Sequence, residues 1–551
     1  MAAEKPHMKT WPENVIPLLV LTITVWAVTG NSLHGEFVWD DKVFILFNQV
    51  YRHFDLQGIF LSLGNGVEYL PIRDLSLAID YVLWGTNPVG FHFTNIVIYC
   101  LNVTVVYLLA DRLTMLLGRN QQQDGTKAES KRIAFLTAAL FACHPLHSEV
   151  VSFITSRNTL LSGLFFFLAV WCFLHHIEEE GQPWLWYIAT LVAFTLSLFS
   201  KATGIILPLI FLLISLLCNR QKSRDRNLLK ILPFFLVSAL VFFLFLYIGS
   251  RSNIIGQGLA ANDFHSLMNK TGIAMEIPFF YLSKLVVPVN LSPEYQIAFD
   301  SLFTSIASLA CFIALITLAA MAIHWHRVSP VYSFCIGWYL LTLIPTLNIF
   351  PTHPIVADRY AYLPSFAFFY LVATLACTFL PRRWFYGCVA LLLFVWGGLS
   401  WRQNRIWNSE KSLWQHSLAV SPRSVKAYDN LGRLYFNDGD YLTAFNLFSR
   451  AVEIDSSDSN YDYFMGQRFF VMDDYESAAR ASRKAISRNN NCIEAHYLLG
   501  KSYEMMGNRQ EAIASYRNLL QSKGRETGSY KDMARSNLER LFESDGRSGR
   551  E

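Results

Sequence analysis

The chain has 551 residues, of which 53% are hydrophobic, 15% aromatic and only 16% charged, with a net charge of +4. A soluble domain carries about 25% charged residues, so this composition excludes an ordinary soluble enzyme and points to a multi-pass membrane protein. No basic stripe marks a nucleic-acid partner, and nine cysteines without a CxxC support neither a disulfide framework nor a zinc site.

A spanning helix needs about 20 mostly apolar residues. Eleven stretches are expected to span, roughly 15–32, 91–110, 133–147, 159–174, 183–200, 202–218, 231–249, 301–323, 328–351, 362–381 and 384–401. The first has no small-residue cleavage signature and reads as a retained helix. The stretch 273–289 is short and carries Lys284, which predicts a re-entrant or interfacial segment. Lys5 and Lys9, the cluster from Arg112 through Arg119 to Arg132, the cluster from Arg220 and Lys222 to Lys230, then Arg327, Arg382 and Arg383 fall on one side of an eleven-span chain. The excess of Lys and Arg makes that side cytoplasmic. The long loops 33–90 and 250–300 and the C-terminal tail then face a periplasm or lumen.

The first outward loop opens with Phe37-Val38-Trp39-Asp40-Asp41. A carboxylate pair just past a membrane span stands where a lipid-borne substrate can meet a soluble one. Two such groups, partly desolvated, push each other's pKa values apart. His92 and Asn95, at the start of the second span, can line a cavity or simply pack. His144-Pro145-Leu146-His147-Ser148-Glu149 places two imidazoles at i and i+3, suited to a metal, to a substrate hydroxyl, or to capping a helix end. The short outward turns hold few basic residues, and Arg157, Lys201 and Arg359 stand out there, with Arg73 in the first long loop. Each suits a phosphate on a lipid carrier and equally a topology-setting charge. Asp358-Arg359-Tyr360-Ala361-Tyr362 precedes the tenth span, mixing a charge pair with interfacial tyrosines.

The tail repeats itself. Gly432, Gly466 and Gly500 are 34 residues apart, each inside the same pattern of small and large residues, with Asp462 replacing an aromatic in the second unit. Period and residue types match the tetratricopeptide repeat, whose helix pairs stack into a concave binding surface. The expected organisation is all-α: a polytopic membrane domain over 1–401, a linker over 402–424, three repeats over 425–544 and a frayed end over 545–551.

Read in order, Phe37-Val38-Trp39-Asp40-Asp41, Tyr69-Leu70-Pro71-Ile72-Arg73, Asn87-Pro88-Val89-Gly90-Phe91-His92-Phe93-Thr94-Asn95, the His144–Glu149 segment, Ser200-Lys201, Arg359-Tyr360-Ala361-Tyr362-Leu363-Pro364-Ser365 and the tail repeats resemble the transmembrane-and-tetratricopeptide O-mannosyltransferases, and their prokaryotic relatives most in length. The resemblance covers essentially the whole chain. It implies a GT-C glycosyltransferase fold and transfer of a sugar, mannose, from a polyprenyl-phosphate donor to a protein hydroxyl on the periplasmic or lumenal side. The partners it implies are that donor, the bilayer and a protein acceptor held in the repeat groove. It implies a catalytic carboxylate in the first outer loop: Asp41 as the favoured base, Asp40 orienting it. Arg73, Arg157, Lys201 and Arg359 are the expected phosphate ligands. His92, Asn95, His144, His147, Glu149, Asp358 and Tyr362 are the expected sugar or acceptor contacts. No cofactor is firmly implied, and nothing demands a divalent metal. The compact length favours a prokaryotic plasma membrane over an endoplasmic reticulum membrane. Two other classes fit the same topology: a non-catalytic repeat scaffold, and a polyprenyl-linked oligosaccharide transferase.

Overall fold

The computed structural model describes residues 11–46, 48–61, 69–118, 127–178, 182–218, 224–251, 264–295, 306–326, 328–348, 354–455, 460–522 and 528–548. Lys5, Lys9, Arg119, Arg220, Lys222 and Arg327, which entered the orientation argument, lie outside them. Among the described residues every regular element is helical. Two compact units form, Met1–Leu413 and Trp414–Glu551.

The first unit contains α1 (Trp11–Thr29), α2 (Pro71–Trp84), α3 (Pro88–Gly118), α4 (Lys127–Cys143), α5 (Ser148–Ser152), α6 (Arg157–Glu178), α7 (Pro183–Ser200) and α8 (Leu207–Leu217). It continues with α9 (Arg224–Arg251), α10 (Phe264–Val286), α11 (Ile306–Trp325), α12 (Pro330–Leu343), α13 (Tyr362–Phe379) and α14 (Arg382–Ile406). Among the described residues eight helices are long and apolar enough to cross a membrane, nine if α4 and the segment Pro145–Ser152, bent 55° from it, form one span. The expected eleven also counted Ala202–Leu217 and Pro330–Thr346, which are apolar but shorter. The expected short segment 273–289 belongs to the 23-residue helix α10, with Pro278 inside it.

Helix α3 is the axis of this unit. Tyr99, Val106, Tyr107, Leu109, Ala110 and Leu113 are all buried, packed with residues of α4 and α6 such as Leu140, Phe141, Phe166 and Phe167. Helix α11, by contrast, leaves Ile306, Ile313, Ile316 and Ile323 exposed. An apolar outer surface suits lipid, where each backbone polar group must be satisfied within its own helix.

Breaks between helices put polar side chains at one end of this bundle. The α4–α5 break at His144–His147, the start of α6, the extended residue Lys201 after α7 and the turn Asp358–Ala361 before α13 all meet there. Asn404 near the end of α14 reaches the same end, donating its amide to Val28 O and to Asn31 Oδ1.

The second unit is built from helix pairs α16 (Val425–Asn437) with α17 (Tyr441–Ile454), α18 (Asn460–Val471) with α19 (Tyr475–Arg488), and α20 (Ile493–Met505) with α21 (Arg509–Gln521). Before them lies α15 (Glu410–Val420) and after them α22 (Gly528–Ser548). Side chains of Ser424, Asp440 and Asp474 accept the N–H of the third residue of α16, α17 and α19, namely Ala427, Thr443 and Ser477, satisfying donors a helix start leaves open. The repeated glycines sit where helices touch. A Cβ on Gly432 would lie 2.5 Å from Phe448, and one on Gly500 would lie 2.5 Å from Tyr516. The expected linker 402–424 is instead the end of α14 and all of α15. Trp414 and Ser417, both buried, stand 34 residues before Phe448 and Ala451. Buried Ala534 stands 34 residues after Gly500. The array is therefore three pairs flanked by a half-repeat at each end. The expected frayed end is helical through Ser548; 549–551 lie outside the described residues.

Candidate active site

The carboxylate loop leaves α1 through a 3-10 turn and runs extended from Gly35 to Val38. At Trp39 the backbone enters the left-handed region, φ +52°, unusual for a bulky side chain. That turn gives the neighbouring carboxylates different surroundings. Asp41 is fully buried. It accepts the backbone N–H of Thr155 at 2.7 Å, the Thr155 hydroxyl at 2.5 Å and the N–H of Val38 at 3.2 Å. Burial pushes its carboxyl up to about 7, against the pull of those three donors. Asp40 is half-buried.

The four outward cations divide the same way. Arg157 is fully buried and pairs with Asp80 at 2.5 Å, donates Nε to Asn95 Oδ1 at 2.7 Å and Nη2 to Phe91 O at 2.9 Å. Arg73 is buried, bonded to Asp74 at 2.8 Å, and Asp74 also accepts the Tyr51 hydroxyl. These two are held in ion pairs inside the loop–helix packing, and neither is among the residues that line the polar cleft. Lys201 and Arg359 differ. Both line one cleft of about 300 Å³, part of it open solvent, together with Thr159, Ser162, Thr203, Thr342, Thr346, Tyr360 and Tyr362. The two cations each lie over the Tyr360 ring, at 5.5 and 5.2 Å. Lys201 Nζ donates to Thr159 Oγ1 at 2.8 Å. Arg359 gives both its backbone N–H and its guanidinium to Glu149. The buried Tyr362 hydroxyl has no hydrogen-bond partner among the described residues.

The expected sugar and acceptor contacts separate likewise. Glu149 is the anchor of Arg359. Asp358 accepts the Tyr295 hydroxyl at 2.5 Å. Asn95 is spent on Arg157 and on Val151 O. His92 is buried against Gly35, where a Cβ would lie 2.7 Å from Nε2. The two histidines of the α4–α5 break are core residues. His144 Nε2 lies 3.1 Å from Leu285 O and its ring meets Trp396 edge-on. His147 lies 2.9 Å from Phe141 O and 3.0 Å from Ser365 Oγ. Of this group only Tyr362 lines the cleft. Among the described residues no group of three His, Cys, Asp or Glu side chains is arranged to hold a metal ion.

Sequence reasoning missed Thr155, Asp80 and Glu410. Glu410 accepts the Trp39 N–H at 2.9 Å and the Lys42 ammonium at 2.6 Å. A threonine beside Arg157 signals only a helix start, and nothing local ties residue 410 to residue 39.

The family model for dolichyl-phosphate-mannose-protein mannosyltransferase matches residues 126–248, which include Glu149, Thr155, Arg157, Thr159 and Lys201. The model for anaphase-promoting complex, cyclosome, subunit 3 matches residues 437–519, within the helix pairs. Protein O-mannosyl-transferase Tmtc3 of Drosophila melanogaster is 25% identical over 85% of this chain and 58% of its own. Protein O-mannosyl-transferase F38B6.6 of Caenorhabditis elegans is 24% identical over 81% of this chain and 63% of its own. The chain is similar to protein O-mannosyl-transferases over most of its length. It also matches human protein O-mannosyl-transferase TMTC3 at 25% identity, over 80% of this chain and 52% of that one. The chain thus spans between about half and two thirds of the length of these relatives. Among solved structures, the Archaeoglobus fulgidus oligosaccharyltransferase is similar at 14% identity and a TM-score of 0.38, over 80% of this chain and 60% of that one. The relatives named here are animal proteins, so the expected prokaryotic setting finds no support among them.

Proposed function

We propose that this chain is a GT-C-type membrane glycosyltransferase that moves mannose from a polyprenyl-phosphate carrier to a serine or threonine hydroxyl of a protein. One observation carries the assignment of roles: Asp41 is buried and held by Thr155, while its half-buried neighbour Asp40 is the other carboxylate of the pair and Lys201 and Arg359 line the polar cleft. Asp40, rather than the expected Asp41, is then the base.

In this reading Asp40 removes the acceptor proton as the hydroxyl oxygen attacks the anomeric carbon. The bond from that carbon to the phosphate oxygen breaks, and its electron pair leaves with the lipid phosphate. Attack opposite the leaving group inverts the anomeric centre. Lys201 and Arg359 stabilise the charge that grows on the phosphate, the first as a point charge and the second as a planar fork. The Tyr362 hydroxyl, lacking a protein partner, is offered to the donor. Glu149 fixes the fork, and Asp41, Arg157 and Asp80 hold the loop. The cleft faces a lumen, with the endoplasmic reticulum membrane as the setting, and the helix-pair groove holds the acceptor.

The test is a transfer assay on the purified full chain with radiolabelled polyprenyl-phosphate mannose and a panel of serine- and threonine-containing peptides. Label in peptide, released by β-elimination, is expected. No transfer to any peptide would overturn the reading and favour a non-catalytic scaffold.

A further inference from the structure

The turn that separates Asp40 from Asp41 is anchored from the far end of the membrane unit. Trp39 adopts φ +52°, a conformation that strains a bulky residue and persists only where surroundings enforce it. Two contacts enforce it. The Trp39 ring stacks on Phe153 at 5.4 Å and 10°, and Phe153 stacks on Trp407 at 5.2 Å and 23°. The Trp39 N–H donates to Glu410 Oε1 at 2.9 Å, while Glu410 Oε2 takes the Lys42 ammonium at 2.6 Å. The neighbouring backbone is tied to the same place, since the Glu36 N–H donates to Asn408 O at 3.0 Å. Glu410 thus grips the loop on both sides of the acidic pair, at 39 and at 42, and Thr155 grips it at 41. Asp40 is the residue held between these grips, with its own side chain half-buried.

We infer that Glu410 is a positioning residue for Asp40, an inference that rests on the transferase reading above. It touches no substrate. It fixes the Val38–Trp39 peptide just before Asp40 and holds the Lys42 side chain just after the acidic pair, and so constrains the direction in which Asp40 leaves the chain. A group acting this way changes the rate of the chemical step and leaves ground-state binding alone, because displacing a catalytic group by about 1 Å costs on the order of 10²-fold in rate.

The experiment compares wild-type protein with Glu410→Ala, Glu410→Asp, Glu410→Gln and Lys42→Ala in the mannose-transfer assay, measuring kcat, both KM values and the melting temperature in detergent. Glu410→Ala is expected to lower kcat by about 10²-fold with donor and acceptor KM unchanged. Glu410→Gln keeps an acceptor oxygen for the Trp39 N–H and should recover most of kcat. Lys42→Ala removes the ion pair but not that hydrogen bond and should also stay near wild type. If Glu410→Ala fails to fold, Glu410→Asp decides, since its carboxylate is withdrawn by one methylene. Wild-type kcat in the Ala or Asp variant overturns the inference, as does a loss confined to KM. Absence of transfer by the wild type overturns the transferase reading and this inference together, so the two failures are told apart.

Discussion

Thr155 meets Asp41 twice, with its backbone N–H at 2.7 Å and its hydroxyl at 2.5 Å. That double contact holds one carboxylate of an adjacent pair in the core, while its neighbour Asp40 is half-buried. The acidic pair is therefore one anchor and one reactive group.

Removing the anchor should damage the fold. Thr155→Val withdraws the hydroxyl from a buried carboxylate, and leaving such a group short of a partner costs about 1–3 kcal/mol. A lower melting temperature in detergent is expected, with transfer falling in proportion to folded protein. Thr155→Ser keeps the hydroxyl and should melt close to wild type.

The anchor also carries a pH signature. Asp41 is raised from 3.8 to about 7 by burial, so between those values the folded protein holds a proton that the unfolded chain has released. Stability from this group is greatest below about 4, falls as pH rises through the window, and is flat above about 7, by at most about 1.4 kcal/mol per pH unit. Asp41→Asn cannot titrate. Its melting temperature relative to wild type should be lowest at pH 5 and should rise toward pH 7.5. A constant difference would contradict the buried, titrating Asp41.

Arg157 and Lys201 carry the same charge but should fail differently. Arg157→Met strands buried Asp80, and breaking a buried pair this way costs about 3–5 kcal/mol. Expression and melting should collapse. Lys201→Met removes a half-buried ammonium whose hydrogen bond goes to a threonine hydroxyl. Melting should hold, while donor KM rises or kcat falls by roughly 10-fold or more, the weight of one charge-assisted contact.

This contrast shows what the sequence made legible. The membrane class, the 34-residue array and the acidic pair were readable, because apolar length, repeat period and loop position are local properties. The division of labour among the charges was not. Arg73 and Arg157 look like Lys201 and Arg359 until the polar cleft is seen to be lined by the last two and by neither of the first. His144 and His147 look like ligands until backbone carbonyls at Leu285 and Phe141 and the ring of Trp396 surround them. Glu410 is 371 residues from Trp39, and no local pattern records a contact of that separation. The half-repeats escaped because each offers only one helix of the pair.

The glycines of the array give an independent check on its packing. Gly500→Ala would set a Cβ 2.5 Å from the Tyr516 ring, and overpacking of this kind typically costs 1–3 kcal/mol. Limited proteolysis should cut the tail faster in this variant. Gly507→Ala, where a Cβ meets nothing within 4 Å but φ is +77°, should show only the smaller cost of a left-handed alanine, about 1 kcal/mol.

The central claim is that Asp40 performs the proton transfer. Its most direct test is the single-turnover rate of Asp40→Asn under saturating polyprenyl-phosphate mannose and peptide, with the melting temperature measured on the same preparation. The account predicts a rate reduced by about 10²- to 10⁴-fold, the range for loss of a general base, at unchanged melting temperature. A folded Asp40→Asn protein that transfers mannose at the wild-type rate would contradict it.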